Sequence, residues 1–287
     1  MAESLPAAAP PDWLQITVGD APLVLSIPHA GTEIPEALAS SLVSPFRSTC
    51  DTDWWVDRLY DFGASLDATV VRTKLSRTVI DVNRDPSGRS LYPGQATTGL
   101  CPLTTFDGLP LYLGGREPDA ADIALRTQDC FGPYHAALAA QLARLRRRHP
   151  RVVLYDCHSI RSRVPRLFEG ELPQFNLGTY GGVSCDPRLR AALAHTCADS
   201  GFSHIVDGRF KGGYITRHYG RPPQGIHALQ MELACRGYLT EPEGELTADN
   251  WPAPYDCARA AALRGTLQRL LAQCLDFAQV PSRSQNC

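Results

Sequence analysis

Leu23-Val24-Leu25-Ser26-Ile27 is a continuous apolar run of strand length, stopped by Pro28, and it predicts a buried strand. Trp54 to Leu66 has helical spacing, with Trp55, Leu59 and Phe62 on one face. Two β-branched runs, Ala68 to Arg72 and Thr78 to Val82, predict further strands. Tyr134, Leu138, Leu142 and Leu145 recur at helical spacing and end in Arg146-Arg147-Arg148 and Pro150. A basic run there complements the dipole at a helix C-terminus, a simpler reading than a binding patch. Arg151 to Tyr155 predicts the next strand, leading into Asp156-Cys157-His158-Ser159. Asp186 as N-cap, with Pro187 at the first helical position, opens another helix. Ile226 to Leu233 reads as a strand, and Leu263, Leu267, Leu270 and Cys274 mark the stripe of a closing helix over 256–279.

Two stretches show no period. Residues 86–118 hold 6 Gly and 5 Pro among 33, and an irregular segment that long in a compact domain is an active-site loop or disordered. Arg161 to Cys185 is the second. Strands alternating with helices predict an α/β three-layer sandwich with a mostly parallel or mixed central sheet. No repeat, linker or shift of composition divides the chain, so 1–287 is expected to form a single domain, with 1–20 as an N-terminal segment.

Composition narrows the partners. With 44% apolar and 20% charged residues the chain is of ordinary globular make-up. Its formal charge of −2 carries no general basic field for nucleic acid or a membrane surface. Met1 to Pro11 has no basic region and no long apolar segment, so no secretory signal is expected, and no run reaches membrane-spanning length. The ten cysteines include no C-x-x-C pair, which excludes a zinc ribbon and a thioredoxin motif. Reduced thiols in a cytoplasmic protein are the expectation.

Several strands lead to residues suited to chemistry. His29 follows the first strand, His158 follows the Arg151 strand, and Glu232 lies late in the Ile226 strand. Sites in open α/β sheets form outside the carboxyl ends of strands, so these three are candidates to converge. Asp156 and His158 are two apart and share a face, while Cys157 points the other way, which disfavours a cysteine nucleophile. Glu232 shares a face with Gln230, and His227, Leu229 and Met231 share the other. A lone acid in an apolar strand is costly unless functional or paired in a buried ion pair. Asp51-Thr52-Asp53 opens the Trp54 helix; capping accounts for one of its carboxylates well and for two less well. Asn83-Arg84, with Arg77 seven residues earlier, suits an anionic substrate, against internal pairing of Arg84 with Asp81 or Asp85. Arg217-His218 is a second basic pair beside Gly212-Gly213, whose spacing does not fit a phosphate loop.

Six segments in order resemble those of N-formylglutamate amidohydrolases. They are Ser26-Ile27-Pro28-His29-Ala30-Gly31, Asp51-Thr52-Asp53-Trp54, Ile80-Asp81-Val82-Asn83-Arg84, Asp156-Cys157-His158-Ser159-Ile160-Arg161, Phe175-Asn176-Leu177-Gly178-Thr179, and the run from Gly212 to Gly220. The resemblance runs from about Leu23 to Tyr238 and implies a fold related to zinc carboxypeptidases and aspartoacylase. It implies one divalent metal ion, Zn²⁺, with His29 and His158 as ligands. The related enzymes take a carboxylate three residues after the first histidine, where this chain has Thr32. Asp53 is the substitute, with Asp51 and Glu33 as alternatives. By the same resemblance Asn83 and Arg84 hold the substrate α-carboxylate, Arg77 polarises the scissile carbonyl, and Glu232 activates water. Arg217 is the candidate for the side-chain carboxylate, with His218 as its alternative.

The implied activity is hydrolysis of N-formyl-L-glutamate, a small dianionic substrate, to formate and L-glutamate, the last step of a histidine-degradation route in that family. A deacylase of another N-acyl acidic amino acid is the nearest rival. A non-catalytic binder of acidic ligands on the same scaffold is a third reading, and retention of His29, His158, Arg77 and Glu232 argues against it.

Overall fold

The computed structural model describes residues 10–279. Residues 1–9, most of the stretch read for a secretory signal, lie outside the described residues. Seven strands form one sheet: β1 (Leu14–Thr17), β2 (Leu23–Ile27), β3 (Thr69–Thr73), β4 (Val152–Ile160), β5 (Phe175–Gly178), β6 (His204–Val206) and β7 (Ile226–Ala234). The helices are α1 (Glu36–Ala39), α2 (Pro45–Thr49), α3 (Val56–Leu59), α4 (Ala120–Arg126), α5 (Gly132–Arg146), α6 (Pro187–Ala198), α7 (Tyr214–Tyr219) and α8 (Cys257–Gln279).

The strand order is β1-β3-β2-β4-β7-β5-β6. The pairs β3–β2, β2–β4, β4–β7 and β5–β6 are parallel, and β1–β3 and β7–β5 are antiparallel. The sheet is therefore mixed. Every residue of β2 and β4 is buried, as strands covered on both faces must be. One face packs Leu23, Leu25, Val153, Tyr155, Leu229 and Met231 against Leu263, Leu267 and Leu270 of α8 and Leu189 and Leu193 of α6. The other packs Val24, Val152, Leu154 and Ala228 against Tyr134, Leu138, Leu142 and Leu145 of α5. This is a three-layer α/β sandwich.

The α5 stripe, the α6 cap and β2 coincide with the predicted elements. The Asp186 side chain accepts from the Arg188 amide at 2.8 Å. The basic run after α5 also ties down a loop, since Arg148 Nη1 donates to Asp20 and Arg146 Nε to the Gln224 carbonyl.

Four expectations fail. Thr78 to Val82 is a chain of turns, because the amide of Asp81 is taken by the Leu100 carbonyl and that of Val79 by Ser76. The predicted 54–66 helix breaks up: Trp55 takes φ +64°, so regular helix spans Val56–Leu59 alone and continues as a 3-10 turn over Asp61–Leu66. β4 runs on through Ile160, which puts His158 inside the strand rather than after it. The stretch read as irregular over 161–185 contains β5, too short at four residues to carry a period. The 86–118 segment is irregular, as its glycines and prolines predict.

Candidate active site

Side chains alternate across a strand, so the α5 face of β4 receives Asp156 and His158 after Leu154, and that of β7 receives Gln230 and Glu232 after Ala228. Cys157, His227, Leu229 and Met231 leave from the α8 face, as the period of two requires. Burial pushes the Cys157 thiol well above its ordinary range, so it stays a protonated apolar group.

His29, just past β2, and His158 stand with ring centroids 4.8 Å apart, and both are buried. Each has one ring nitrogen held by a carboxylate. His29 Nε2 lies 2.7 Å from Asp81 Oδ1, and His158 Nε2 lies 2.9 Å from Asp156 Oδ2. The opposite nitrogens converge on Asp53 Oδ2, 2.9 Å from His158 Nδ1 and 3.7 Å from His29 Nδ1. His29 Nδ1 is buried and has no hydrogen-bond partner. One donor atom from each of His29, Asp53 and His158 falls within a span of 4.8 Å. Two nitrogens and one carboxylate oxygen are a donor set that suits a zinc-type divalent cation, and carboxylates behind both rings fix their orientation.

Asp53 reaches this place because the chain turns just before α3. Its amide donates to the His29 carbonyl at 3.0 Å, and its Oδ2 also accepts from the Ser159 amide at 3.2 Å. It caps no helix: the N-cap position of α3 is Trp55. Burial alone raises the Asp53 pKa, but the hydrogen bond from His158 and the nearby His29 hold it well below the ordinary carboxylate range. The other two acids proposed for its role lie elsewhere. Asp51 accepts from the Phe106 amide at 2.7 Å, and burial pushes its carboxyl up to about 6. Glu33 is exposed, 3.9 Å from Lys74 Nζ.

Arg77 is buried over the Phe106 ring and pairs with Asp81 at 2.6 Å and Asp53 at 3.5 Å. Burial works against ionisation of Asp81, but the charges of Arg84, His29 and Arg77 hold its carboxyl well below the ordinary range. Glu232 accepts from Gln230 Nε2 at 3.1 Å. Burial, reinforced by the Asp53 and Asp156 carboxylates and opposed by His158 and Arg77, pushes its carboxyl up to about 8. His29, Arg77, His158, Gln230 and Glu232 line one cavity, together with Asn83, Arg84, Thr98, Phe106, Arg209 and Phe210.

Three residues expected to bind substrate make contacts within the protein. The Asn83 amide is engaged within the protein: Nδ2 donates to Asp156 Oδ2 at 3.0 Å, and Oδ1 accepts from the Ile215 amide at 2.8 Å. Close approach of the following chain explains the glycine beside it, since a Cβ on Gly213 would lie 2.5 Å from that amide. Arg217 does not line the cavity. Its guanidinium donates to the Gly212 and Leu91 carbonyls and packs over the rings of Tyr92 and Tyr180. His218 is exposed and stacked on Tyr214.

Two residues escaped the reading of the sequence as parts of the site. Asp81, which orients His29 and neutralises Arg77, is a lone acid in an apolar run, the same signal that singled out Glu232. Arg209 sits in the irregular stretch between β6 and α7 and carries no signal in the pattern.

The sequence profile of N-formylglutamate amidohydrolases matches residues 21–239. A protein of Pseudomonas aeruginosa named N-formylglutamate deformylase is 46% identical over 254 residues, 88% of this chain and 92% of that one. A Pseudomonas putida protein of the same name is 46% identical over 255 residues, 88% of this chain and 94% of that one. The crystal structure of N-formylglutamate amidohydrolase from Ralstonia eutropha JMP134 superposes with a TM-score of 0.74 at 23% identity, covering 95% of this chain and 99% of that one. A protein of Agrobacterium tumefaciens superposes with a TM-score of 0.67 at 19% identity, covering 93% and 96%. At those identities the structural likeness concerns the fold alone.

Proposed function

The chain belongs to the N-formylglutamate amidohydrolase family, and from that premise we propose that it hydrolyses N-formyl-L-glutamate to formate and L-glutamate with one divalent metal ion, Zn²⁺, held by His29, Asp53 and His158. The observation that carries this reading is the orphaned His29 Nδ1, buried beside Asp53 Oδ2 and His158 Nδ1 while carboxylates hold both opposite ring nitrogens. When bound, such an ion supplies Lewis acidity to a carbonyl oxygen and acidifies water.

The rest of the chemistry falls to the protein's own groups. Glu232, buried at the cavity wall and oriented by Gln230, takes a proton from the attacking water and returns it to the leaving nitrogen. The water oxygen bonds to the formyl carbon, the C–N bond breaks, and formate and the free amine depart. Arg77 donates to the oxygen on which negative charge develops. Arg84 is steered by Thr98, whose carbonyl and hydroxyl accept from its Nε and Nη2 at 3.0 Å each, and it receives the α-carboxylate. Asn83 acts behind the site by fixing Asp156.

This reaction serves histidine degradation in the cytoplasm. Among the described residues nine cysteines are free thiols, seven of them buried, which fits a reducing compartment. No helix of the described residues is long and apolar enough to cross a membrane.

Formate release from N-formylglutamate, measured alongside metal content, tests the proposal. Activity should disappear on chelation and return with Zn²⁺, Co²⁺ or Mn²⁺. Full activity in exhaustively demetallated protein would end the metal reading. Release of a longer acyl group in preference to formyl would move the chain to the rival deacylase class.

A further inference from the structure

Three guanidinium groups line the cavity, and two of them face a carboxylate of the protein. Arg77 lies 2.6 Å from Asp81 and 3.5 Å from Asp53, and Arg84 lies 3.7 Å from Asp81. Arg209 has no such partner: among the described residues no carboxylate stands within ion-pair distance of it. Its Nε donates to the Leu167 carbonyl and its Nη2 to the Ala96 carbonyl, each at 2.8 Å. The rings of Tyr92 and Phe210 flank the guanidinium, with centroids at 5.3 Å. Nη1 makes no hydrogen bond within the described residues. Carbonyl dipoles orient a cation without neutralising it; burial and the charge of Arg84 work against Arg209, offset only in part by Tyr92 and the more distant Glu232. A rigidly held, unneutralised arginine on a cavity wall is completed by an anion from outside.

We propose that Arg209 selects the substrate by its second carboxylate, binding the side-chain carboxylate of N-formylglutamate while Arg84 binds the α-carboxylate. This rests on the reading of the site as a deformylase. Bond counting assigns the two arginines. The α-carboxyl carbon is two bonds from the scissile nitrogen and the side-chain carboxyl carbon four. Arg84 belongs to the Asp81 network that also holds His29 and Arg77, at the reacting end. Arg209 hangs instead from Ala96 in the 86–118 loop and from Leu167, outside that network. A neutral side chain would leave its guanidinium desolvated and unpaired, which is how a polar site rejects an analogue.

The test compares kcat/KM for N-formylglutamate and N-formylglutamine in the metal-loaded wild type, Arg209→Gln and Arg209→Lys, with formate release as the readout and circular dichroism to establish folding. The wild type should prefer N-formylglutamate by about 10²-fold or more. Arg209→Gln should lose about 10²-fold on N-formylglutamate and less than about 10-fold on N-formylglutamine, so that the preference collapses. Arg209→Lys should turn over more slowly yet keep a preference for the anionic substrate, and it carries the test if the glutamine variant fails to fold. An arginine that only straps the loop would slow both substrates equally in either variant. That result overturns the inference and leaves the deformylase reading standing, as does a wild type that hydrolyses both substrates equally well. A metal-loaded wild type that releases no formate from N-formylglutamate overturns both.

Discussion

His158 on β4 and Glu232 on β7 are register partners in a parallel pair, so their side chains leave the sheet on the same face at the same height. The pairing puts a carboxyl group beside the candidate metal centre without making it one of the three converging donors. His158 itself pulls the Glu232 carboxyl down, and burial outweighs it. Buried near Asp53 and Asp156, the Glu232 carboxyl is driven up to about 8.

Glu232→Gln tests the role that follows. The change preserves shape and keeps a partner for Gln230, while removing the base. Metal content should be retained, kcat should fall by about 10²- to 10⁴-fold, and KM should move little, since proton transfer belongs to the transition state. An acid whose folded pKa lies above its ordinary value weakens the fold as pH rises past that ordinary value, so a neutral glutamine should not lower the melting temperature of the metal-free protein at neutral pH. Near-normal kcat per folded, metal-loaded molecule would rule out the base.

Asp81 offers a test one shell further out. Its Oδ1 holds His29 Nε2 at 2.7 Å, and its Oδ2 holds Arg77 at 2.6 Å. Asp81→Asn removes the charge that orients and polarises the ring, and metal affinity should fall by about 10- to 100-fold. Competition against a chromophoric chelator measures this directly. Unchanged affinity would mean that Asp81 serves Arg77 and Arg84 rather than the metal centre.

Arg84→Ala addresses the reacting end of the substrate. Losing a charge-assisted contact to the α-carboxylate should lower kcat/KM for N-formylglutamate by about 10²-fold. N-formylglutamine carries the same α-carboxylate, so its kcat/KM should fall by a similar factor. A loss confined to N-formylglutamate would move Arg84 to the side-chain carboxylate and exchange its role with that of Arg209.

The strands and helices that carry the two cores were legible because burial on both faces writes itself into uninterrupted apolar runs and the α5 stripe into a 3.6-residue period. Period-two alternation in β4 and β7 separates Asp156, His158 and Glu232 from Cys157 and His227 in the sequence alone. Asp53 was harder, since it arrives through a turn held by the His29 carbonyl, and turns of that kind leave no periodic trace. Arg209 was out of reach. Its place on the wall depends on two backbone carbonyls, Leu167 and Ala96, that are distant from it in the chain, and backbone acceptors are the same whatever residue bears them. Arg217 stands in a conspicuous glycine-rich motif, yet its guanidinium meets the Leu91 carbonyl and the Tyr92 ring, contacts that no motif announces.

His227 gives a prediction about stability that is independent of the catalytic chemistry. It lies on the α8 face of β7, packed edge-on against Phe277 at 4.7 Å, with 3% of its surface exposed. Its Nδ1 accepts from the Asp186 amide at 3.1 Å, so the ring is neutral in the fold. Burial, aided by Arg151, Arg146 and Arg188 and opposed by Asp186, lowers its pKa from 6.5 to about 4. The unfolded chain therefore binds a proton near pH 6.5 that the folded chain refuses until about pH 4. The stabilisation is full above 6.5 and is lost as pH falls through that window, by about 3 kcal/mol at 1.36 kcal/mol per pKa unit. Other groups titrate there too, so the comparison must be differential. Urea unfolding of metal-free wild type and His227→Gln at pH 7.5 and pH 4.5 isolates the one residue. Glutamine keeps an acceptor for the Asp186 amide and does not titrate, so the variant should lose about 2–3 kcal/mol less than wild type between the two pH values. Equal losses would show that His227 is protonated in the folded protein, and the Asp186 amide would then need another acceptor.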